Sequence, residues 1–187
     1  MKKKVIVAIT GASGSIYASL LLDELEKRKD LVDTVLLMSK NAETVWQLEL
    51  GNKDFKKYPF PQYAPDDFFS PTASGSAGFD CMVVCPCSMG TLGRIANGIS
   101  DDLITRSADV MLKEKKQLIL VPRETPFSSI HLQNMLFLSN LGVTILPASP
   151  SFYSRPSNIK EMAFTVVSRI LDHLTLPHEG YRWGEND

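Results

Sequence analysis

The sequence predicts an α/β fold, a doubly wound, Rossmann-like parallel sheet flanked by helices on both faces. Short apolar runs recur at residues 5–9, 32–38, 81–85, 117–121 and 143–146, as expected for strands that are covered on both faces. Segments with helical spacing of apolar residues alternate with these runs. Because parallel strands need crossover connections, this alternation indicates right-handed βαβ units.

The composition predicts one globular domain over residues 1–187 and excludes several function classes. A net charge of −1 provides no basic field for nucleic acid or for an anionic membrane surface. The apolar run near the N-terminus is short and meets a glycine turn, so we interpret it as the first strand and not as a signal peptide. Three cysteines, all within CMVVCPC, favour reduced thiols and a cytoplasmic location.

In chain order, the first strand is followed by a helix that begins at Ser15, and the second strand by a helix over residues 41–50. The alternation then stops at residues 58–78, which are rich in proline and aromatic residues. We interpret this segment as an extended arm that lies on the domain or on a neighbouring subunit. A flexible linker is the alternative, which the aromatic content disfavours.

The second half returns to alternating strands and helices. Pro86 is expected to end the third long strand, and a tail over residues 174–187 follows the last helix. The predicted helices lie at residues 89–97, 101–116 and 128–141 and in a periodic segment that begins at Ile159.

Ligands of doubly wound sheets bind beyond the carboxyl ends of the strands, so the residues there carry the functional argument. The first strand ends in TGASGS, where a helix N-terminus could bind a phosphate or could simply be capped by a serine. The second strand ends in LLMSK, without the acidic residue that a dinucleotide fold places near this point. No G-K-[ST] follows the first turn either. A mononucleotide is therefore the favoured ligand.

The later strand ends carry cysteines, hydroxyls and charges. Cys81, Cys85 and Cys87 have no fourth ligand nearby in sequence, so buried structural thiols are favoured and no metal site is predicted. Arg123 and Glu124 follow the strand QLIL, as an anion clamp beside a proton donor or as a surface ion pair.

The predicted site has more positively charged side chains than the single phosphate of a mononucleotide needs. Arg106 and Lys113 share a face of one predicted helix, and Arg169 borders the apolar stripe of the last helix. The alternative is an Asp109–Lys113 pair that leaves Arg106 in solvent. Together with Arg123, these cations indicate a second phosphorylated ligand.

Five motifs distributed along the chain occur together: TGASGSIYASLLLDEL, ADVMLKE, PRETPFSSIHLQNM, PSFY and the terminal RWGE. In these motifs the chain resembles the UbiX family of flavin prenyltransferases. The resemblance implies transfer of a dimethylallyl group from dimethylallyl monophosphate to N5 of reduced FMN, followed by ring closure at C6. No metal takes part, and the prenylated FMN passes to a UbiD-type decarboxylase. The family forms large homo-oligomers, so the resemblance also implies a dodecamer.

The resemblance assigns roles to individual residues. The catalytic residues would be Glu124 as the acid that protonates the leaving phosphate, Glu49 and Ser13 near the flavin N5, Lys113, and Trp183 as an aromatic shield. The FMN contacts would be Gly11, Ala12, Ser13, Ser39, Ser88, Met89, Gly90, Thr91 and Arg123. The prenyl phosphate would be held by Lys113, Tyr153 and Arg169, with Arg106 contributing from the same or a neighbouring subunit.

Two other functions compete with this one. An FMN-dependent cysteine decarboxylase would need a catalytic histidine early in the chain, whereas the first histidine here is His131. An FMN carrier or an accessory subunit of an aromatic-acid decarboxylase would need no prenyl-phosphate site.

Overall fold

The computed structural model describes residues 2–184, and the predicted parallel sheet is confirmed. Six parallel strands follow the order β3-β2-β1-β4-β5-β6, that of a doubly wound Rossmann-type sheet. The strands are β1 Lys3–Ile9, β2 Val32–Met38, β3 Gln62–Tyr63, β4 Cys81–Cys87, β5 Gln117–Pro122 and β6 Thr144–Ile145. The helices are α1 Ser15–Lys27, α2 Lys40–Leu50, α3 Met89–Ala96, α4 Leu103–Lys113, α5 Ser129–Asn140 and α6 Ile159–His173. Residues 185–187 of the predicted tail lie outside the described residues.

The helices cover both faces of the sheet, as predicted. One core joins α1, α2 and α6 to the sheet, with Leu21, Trp46 and Ile170 buried completely. The other core joins α3, α4 and α5 to the opposite face, with Leu92 and Leu138 buried completely. Because both faces are covered, most of β1, β2 and β4 is buried and apolar, and a ligand is expected at the edge where the loops meet.

Strand β4 is longer than expected, because it continues through Pro86 to Cys87. A proline lacks the N–H of a regular ladder, and the register with β5 shifts between Val84 and Cys87. The Pro86 carbonyl still accepts hydrogen bonds from the Thr10 backbone N–H at 3.2 Å and hydroxyl at 2.8 Å. These bonds hold β4 beside the end of β1, so the prediction that Pro86 ends the strand is wrong.

The proline-rich arm contains one strand that the sequence did not predict, the short edge strand β3. Before it, the Tyr58 hydroxyl donates to Asp23 Oδ1 of α1 at 2.5 Å, and the Tyr58 ring stacks on Phe60. Beyond it, Phe68 and Phe69 are exposed, Phe69 fully so. The arm thus packs on α1 at its start and presents aromatic rings to the outside at its middle.

Candidate functional site

The candidate site lies at the carboxyl edge of the sheet, where β1 and β4 are neighbours. The chain leaves β1 towards β2 on one side and reaches β5 from β4 on the other, so this is the topological switch point. The turn after β1 carries Gly11, Ala12 and Ser13, and the turn after β4 carries the segment from Ser88 to Thr91. The fold therefore brings two of the predicted FMN-contact segments side by side.

Thr10 ties these two turns together. Its hydroxyl donates to the Pro86 carbonyl at 2.8 Å and accepts from the Ser88 N–H at 2.7 Å, and the residue is 2% exposed. Buried hydroxyls are satisfied in this way when they fix backbone geometry. Thr10 was not among the predicted site residues; its sequence signal is a polar side chain at the buried end of an apolar strand.

The N-terminus of α1 is already occupied by a carboxylate of the protein. Glu49, from the last turn of α2, accepts from the Gly14 N–H at 3.0 Å and the Ser15 N–H at 2.7 Å, and Ser13 also donates to it. Partial burial raises the pKa of Glu49, but these hydrogen bonds outweigh burial and hold it below its usual value. The ionised Glu49 carboxylate thus fills the anion position of this helix.

Glycine is required in this turn for two separate reasons. Gly14 has φ of 116°, in the left-handed region, and it precedes the first residue of α1. A Cβ on Gly11 would lie 2.6 Å from the Asn41 Cβ, so the turn passes against the start of α2. The turn therefore lies in close contact with the start of α2, and no side chain fits at Gly11.

Two further helices begin at this edge with serine caps. Ser39 Oγ accepts from the Ala42 N–H at 3.1 Å at the start of α2, and Ser88 Oγ lies 3.0 Å from Thr91 Oγ1 at the start of α3. The Met89 side chain is buried in the core, so only its backbone can face a ligand. A Cβ on Gly90 would meet no atom within 4 Å, which leaves open space along the first turn of α3.

Arg123 and Glu124 follow β5 at the same edge. The Arg123 N–H donates to the Cys87 carbonyl at 3.4 Å, and Glu124 Oε1 accepts from the Thr125 N–H at 3.0 Å. Within the described part of the chain, no ion pair joins the two side chains, so the alternative of a self-satisfied surface pair gains no support. They line a cavity of about 390 Å³ together with Pro147 and Ser149.

A second cavity of about 740 Å³ gathers three predicted residues, Tyr153, Arg169 and Trp183. The Tyr153 and Trp183 rings meet edge to face, with centroids 5.1 Å apart. Pro147 and Ser149 line this cavity as well as the one beside Arg123 and Glu124, so the two are adjacent. An aromatic wall and a cation are thus placed next to a carboxyl group.

Arg106 and Lys113 do not join this site within one chain. Arg106 donates to the Ala73 carbonyl at 3.2 Å and pairs with Asp109 at 2.8 Å, whereas Lys113 pairs with Glu114 at 2.5 Å. The predicted alternative, an Asp109–Lys113 pair, is therefore wrong. Lys113 ends α4 just before β5 begins, which places it at the amino edge of the sheet, opposite the candidate site.

Tyr17, in the first turn of α1, is a further residue that the sequence did not single out. Burial and the neighbouring Cys85 thiol raise the pKa of its phenol, and the positive charge of Arg123 opposes them. Its phenol therefore stays protonated, and it lies close enough to Arg123 to feel the charge of the guanidinium.

The three cysteines are buried and reduced in the described chain. Burial raises the pKa of Cys81 and of Cys87 to about 12, which makes both thiols inert at neutral pH. Among residues 2–184, no three histidine, cysteine or acidic side chains lie together as metal ligands. None of the helices within that range is long and apolar enough to cross a membrane.

Comparison with known proteins places the chain in a family. The family model described as Flavoprotein matches residues 1–175. The flavin prenyltransferase UbiX of Methanocaldococcus jannaschii is 50% identical over 184 residues, which cover 97% of this chain and 98% of the relative.

Two solved structures are similar over nearly the whole chain. AnUbiX in complex with FMN and dimethylallyl pyrophosphate superposes with a TM-score of 0.94 at 38% identity, covering 100% of both chains. A dodecameric FMN-dependent UbiX-like decarboxylase from Escherichia coli O157:H7 gives a TM-score of 0.93 at 43% identity, covering 96% of this chain and 98% of that one. The chain belongs to the Flavoprotein family and, within it, to the UbiX flavin prenyltransferases.

Proposed function

We propose that this protein is a flavin prenyltransferase, which transfers a dimethylallyl group from dimethylallyl monophosphate to N5 of reduced FMN and closes a fourth ring at C6. In this reaction the allylic carbon–oxygen bond breaks, the phosphate leaves, and reduced FMN supplies the nucleophilic nitrogen. One observation carries the proposal. The turns after β1 and β4, at the switch point, lie next to the cavity that is lined by Tyr153, Arg169 and Trp183.

The residues at the switch point fit a flavin mononucleotide. The open space at Gly90 and the serine caps of α2 and α3 provide room and hydrogen-bond donors beside the turn at Gly11. Ser39, Ser88, Thr91 and the backbone of Met89 would hold FMN here, with Ala12, Ser13 and Arg123 along its other side. No acidic residue stands after β2 to bind a second ribose, in keeping with a mononucleotide.

The residues of the second cavity suit an allylic phosphate. Arg169 and Tyr153 would hold the phosphate, and the adjacent Glu124 would donate a proton to it as it leaves. The faces of Tyr153 and Trp183 would stabilise the positive charge that develops on the allyl group and would exclude water. Glu49, ionised and bonded to Ser13, would orient that hydroxyl towards the site of alkylation.

Arg106 and Lys113 serve a different copy of the site in this proposal. Both lie away from the cavity of their own chain, so they would reach a neighbouring subunit's donor phosphate in the assembly. A dodecamer is proposed, since a similar structure is dodecameric and since α5 exposes apolar side chains that an isolated chain leaves uncovered. The residues concerned are Ile130, Leu132, Leu136 and Phe137.

The remaining assignments are also proposals. The chain would act as one flavoprotein domain with an arm at 58–78, and a UbiD-type decarboxylase would receive the product. The reduced state of the three cysteines supports a cytoplasmic location.

The test is a mass measurement on the flavin. Purified protein incubated anaerobically with reduced FMN and dimethylallyl monophosphate should yield a flavin heavier by one dimethylallyl unit. A parallel incubation with the diphosphate, which a similar structure binds, compares the two donors. An FMN of unchanged mass with both donors would refute the proposed activity.

A further inference from the structure

The chain after α6 folds back along that helix towards the cavity lined by Tyr153, Arg169 and Trp183. This is the donor cavity, since the proposed function places the allylic phosphate there. Leu176 is buried, and the Pro177 carbonyl accepts a hydrogen bond from the Arg28 side chain of α1. Further on, Trp183 packs against Tyr153, which lies in the loop after β6. The returning segment, residues 177–184, thus connects the amino edge of the sheet to the cavity wall.

One carboxylate lies at the centre of this segment. Asp172, in the last turn of α6, accepts from Arg169 at 2.5 Å through Oδ2, and from His178 Nε2 at 2.8 Å and Arg182 at 3.2 Å through Oδ1. Burial raises the pKa of Asp172, but the His178 hydrogen bond and the nearby charges hold it below its usual range. Both oxygens of the ionised carboxylate are therefore in use.

His178 is built into the fold as a hydrogen-bond donor to Asp172. Its side chain is 1% exposed, and its Nδ1 accepts from the Gly180 N–H at 2.9 Å. Because Nδ1 is an acceptor, the ring proton lies on Nε2 and points at Asp172. A Cβ on Gly180 would lie 2.5 Å from the Ser168 Cβ, so the turn packs directly on α6.

These contacts form a clasp, defined here as Asp172, His178 and the turn at Gly180. We propose that the clasp positions Arg169 and residues 181–183 at the donor cavity, so that Asp172 and His178 are positioning residues for the allylic phosphate. The proposal rests on the proposed function, because it takes that cavity as the donor site.

Two parts of the donor cavity depend on the clasp for their position, the Arg169 side chain and the segment that carries Tyr181 and Trp183. The Arg169 side chain is 65% exposed, and its ion pair with Asp172 is what restricts it. Tyr181 and Trp183 line the cavity, and the clasp anchors the chain just before them. Without the clasp, binding of the donor would have to order both parts, which reduces affinity. In the part of the chain that the structure describes, no hydrogen bond or ion pair joins the clasp to the turns after β1 and β4, so FMN affinity should not change.

The experiment uses single substitutions, each of which removes or replaces one charge or one hydrogen bond. Asp172→Asn removes the charge, and His178→Asn keeps an acceptor near the Nδ1 position while it loses the reach to Asp172. His178→Gln places an amide donor near the Nε2 position and should restore the wild-type behaviour. Asp54→Asn is the matched control, since Asp54 also pairs with a cation three residues away, Lys57 at 2.6 Å, on an exposed surface.

Two measurements are made on the full-length protein. The first is the Kd for dimethylallyl monophosphate in the presence of oxidised FMN, which cannot be alkylated. The second is acrylamide quenching of tryptophan fluorescence before FMN is added; Trp46 is fully buried, so the quenching reports on Trp183. We expect Asp172→Asn and His178→Asn to raise the donor Kd about tenfold and to increase quenching, with the FMN Kd unchanged.

Several results would overturn the clasp. An unchanged donor Kd in both Asn variants would do so, as would a combined loss of FMN and donor binding, which would mark a general folding role. A His178→Gln variant as weak as His178→Asn would exclude the hydrogen bond to Asp172 as the cause. If the wild-type protein binds no donor, the proposed function fails instead, and unchanged Trp183 quenching in the variants would still refute the clasp separately.

Discussion

The Thr10 hydroxyl joins the turn after β1 to the turn after β4 through two hydrogen bonds. These bonds give a quantitative prediction for the substitution Thr10→Val. Valine has nearly the shape of threonine, so the buried site keeps its packing and loses only the hydroxyl. The Pro86 carbonyl retains the Thr10 backbone N–H at 3.2 Å, but the Ser88 N–H loses the acceptor that it has at 2.7 Å. The Ser88 N–H, which is partly buried, is thus left without its partner.

An unsatisfied buried donor costs about 1–3 kcal/mol. We therefore expect the free energy of unfolding of Thr10→Val to fall by that amount. FMN affinity should fall too, because Ser88 opens the turn that carries Gly90 and Thr91.

The chain provides a matched control in Thr34→Val, on the neighbouring strand β2. Thr34 is 5% exposed, and its hydroxyl has no hydrogen-bond partner within residues 2–184. Removing an unsatisfied hydroxyl should leave stability unchanged or increase it. Urea unfolding at a fixed protomer concentration measures both variants, and FMN titration follows. The reasoning is refuted if the two variants lose the same stability, or if Thr10→Val stays within about 0.5 kcal/mol of the wild type.

Three other predictions concern the carboxylates and the assembly. Glu124→Gln should slow prenyl transfer and leave the FMN Kd unchanged in a titration; an undiminished rate would remove its role as the acid. Glu49 has a lowered folded-state pKa, so its stabilisation is complete above its ordinary value of 4.5 and is lost as the pH falls through the lowered one. Glu49→Gln should lack that part of the pH dependence in unfolding measured from pH 7 downwards, and an identical profile would contradict this. Ile130→Glu, on the exposed apolar face of α5, should reduce the assembly size in light scattering, whereas an unchanged mass would place the interface elsewhere.

The sheet and its helices could be predicted because their signals are local. Apolar runs and helical periodicity report burial on one or both faces, and parallel connectivity then places every strand end at one edge. Strand β3 could not be found in this way, because Gln62 and Tyr63 pair along the edge of β2 inside a proline-rich segment. Its pairing depends on a partner that is distant in sequence.

The site shows the same limit. The sequence predicts that Gly11, Ser88 and Arg123 lie at strand ends. It does not predict which residues contact those strand ends. Thr10 bonds to a residue far along the chain, and Glu49 reaches the start of α1 from the end of α2. No spacing rule relates such pairs, since the first contact depends on how β1 and β4 align and the second on how α1 and α2 pack. Lys113 illustrates the converse, because a family motif identifies it while the fold of one chain places it at the other edge.

The carboxylates also determine where a phosphate can bind at this edge. Glu49 occupies the N-terminus of α1, and Asp172 pairs with the Arg169 guanidinium through Nη1. In the proposed function a flavin phosphate would therefore bind away from the glycine turn, at the N-termini of α2 and α3, where Ser39 and Ser88 lie. The glycine turn, next to an anion of the protein itself, would contact an uncharged part of the flavin. Asp172 bonds to one guanidinium nitrogen of Arg169, Nη1. In the proposed function a donor phosphate would therefore bind the other N–H groups of a guanidinium that Asp172 already holds in place, and it would not have to displace Asp172.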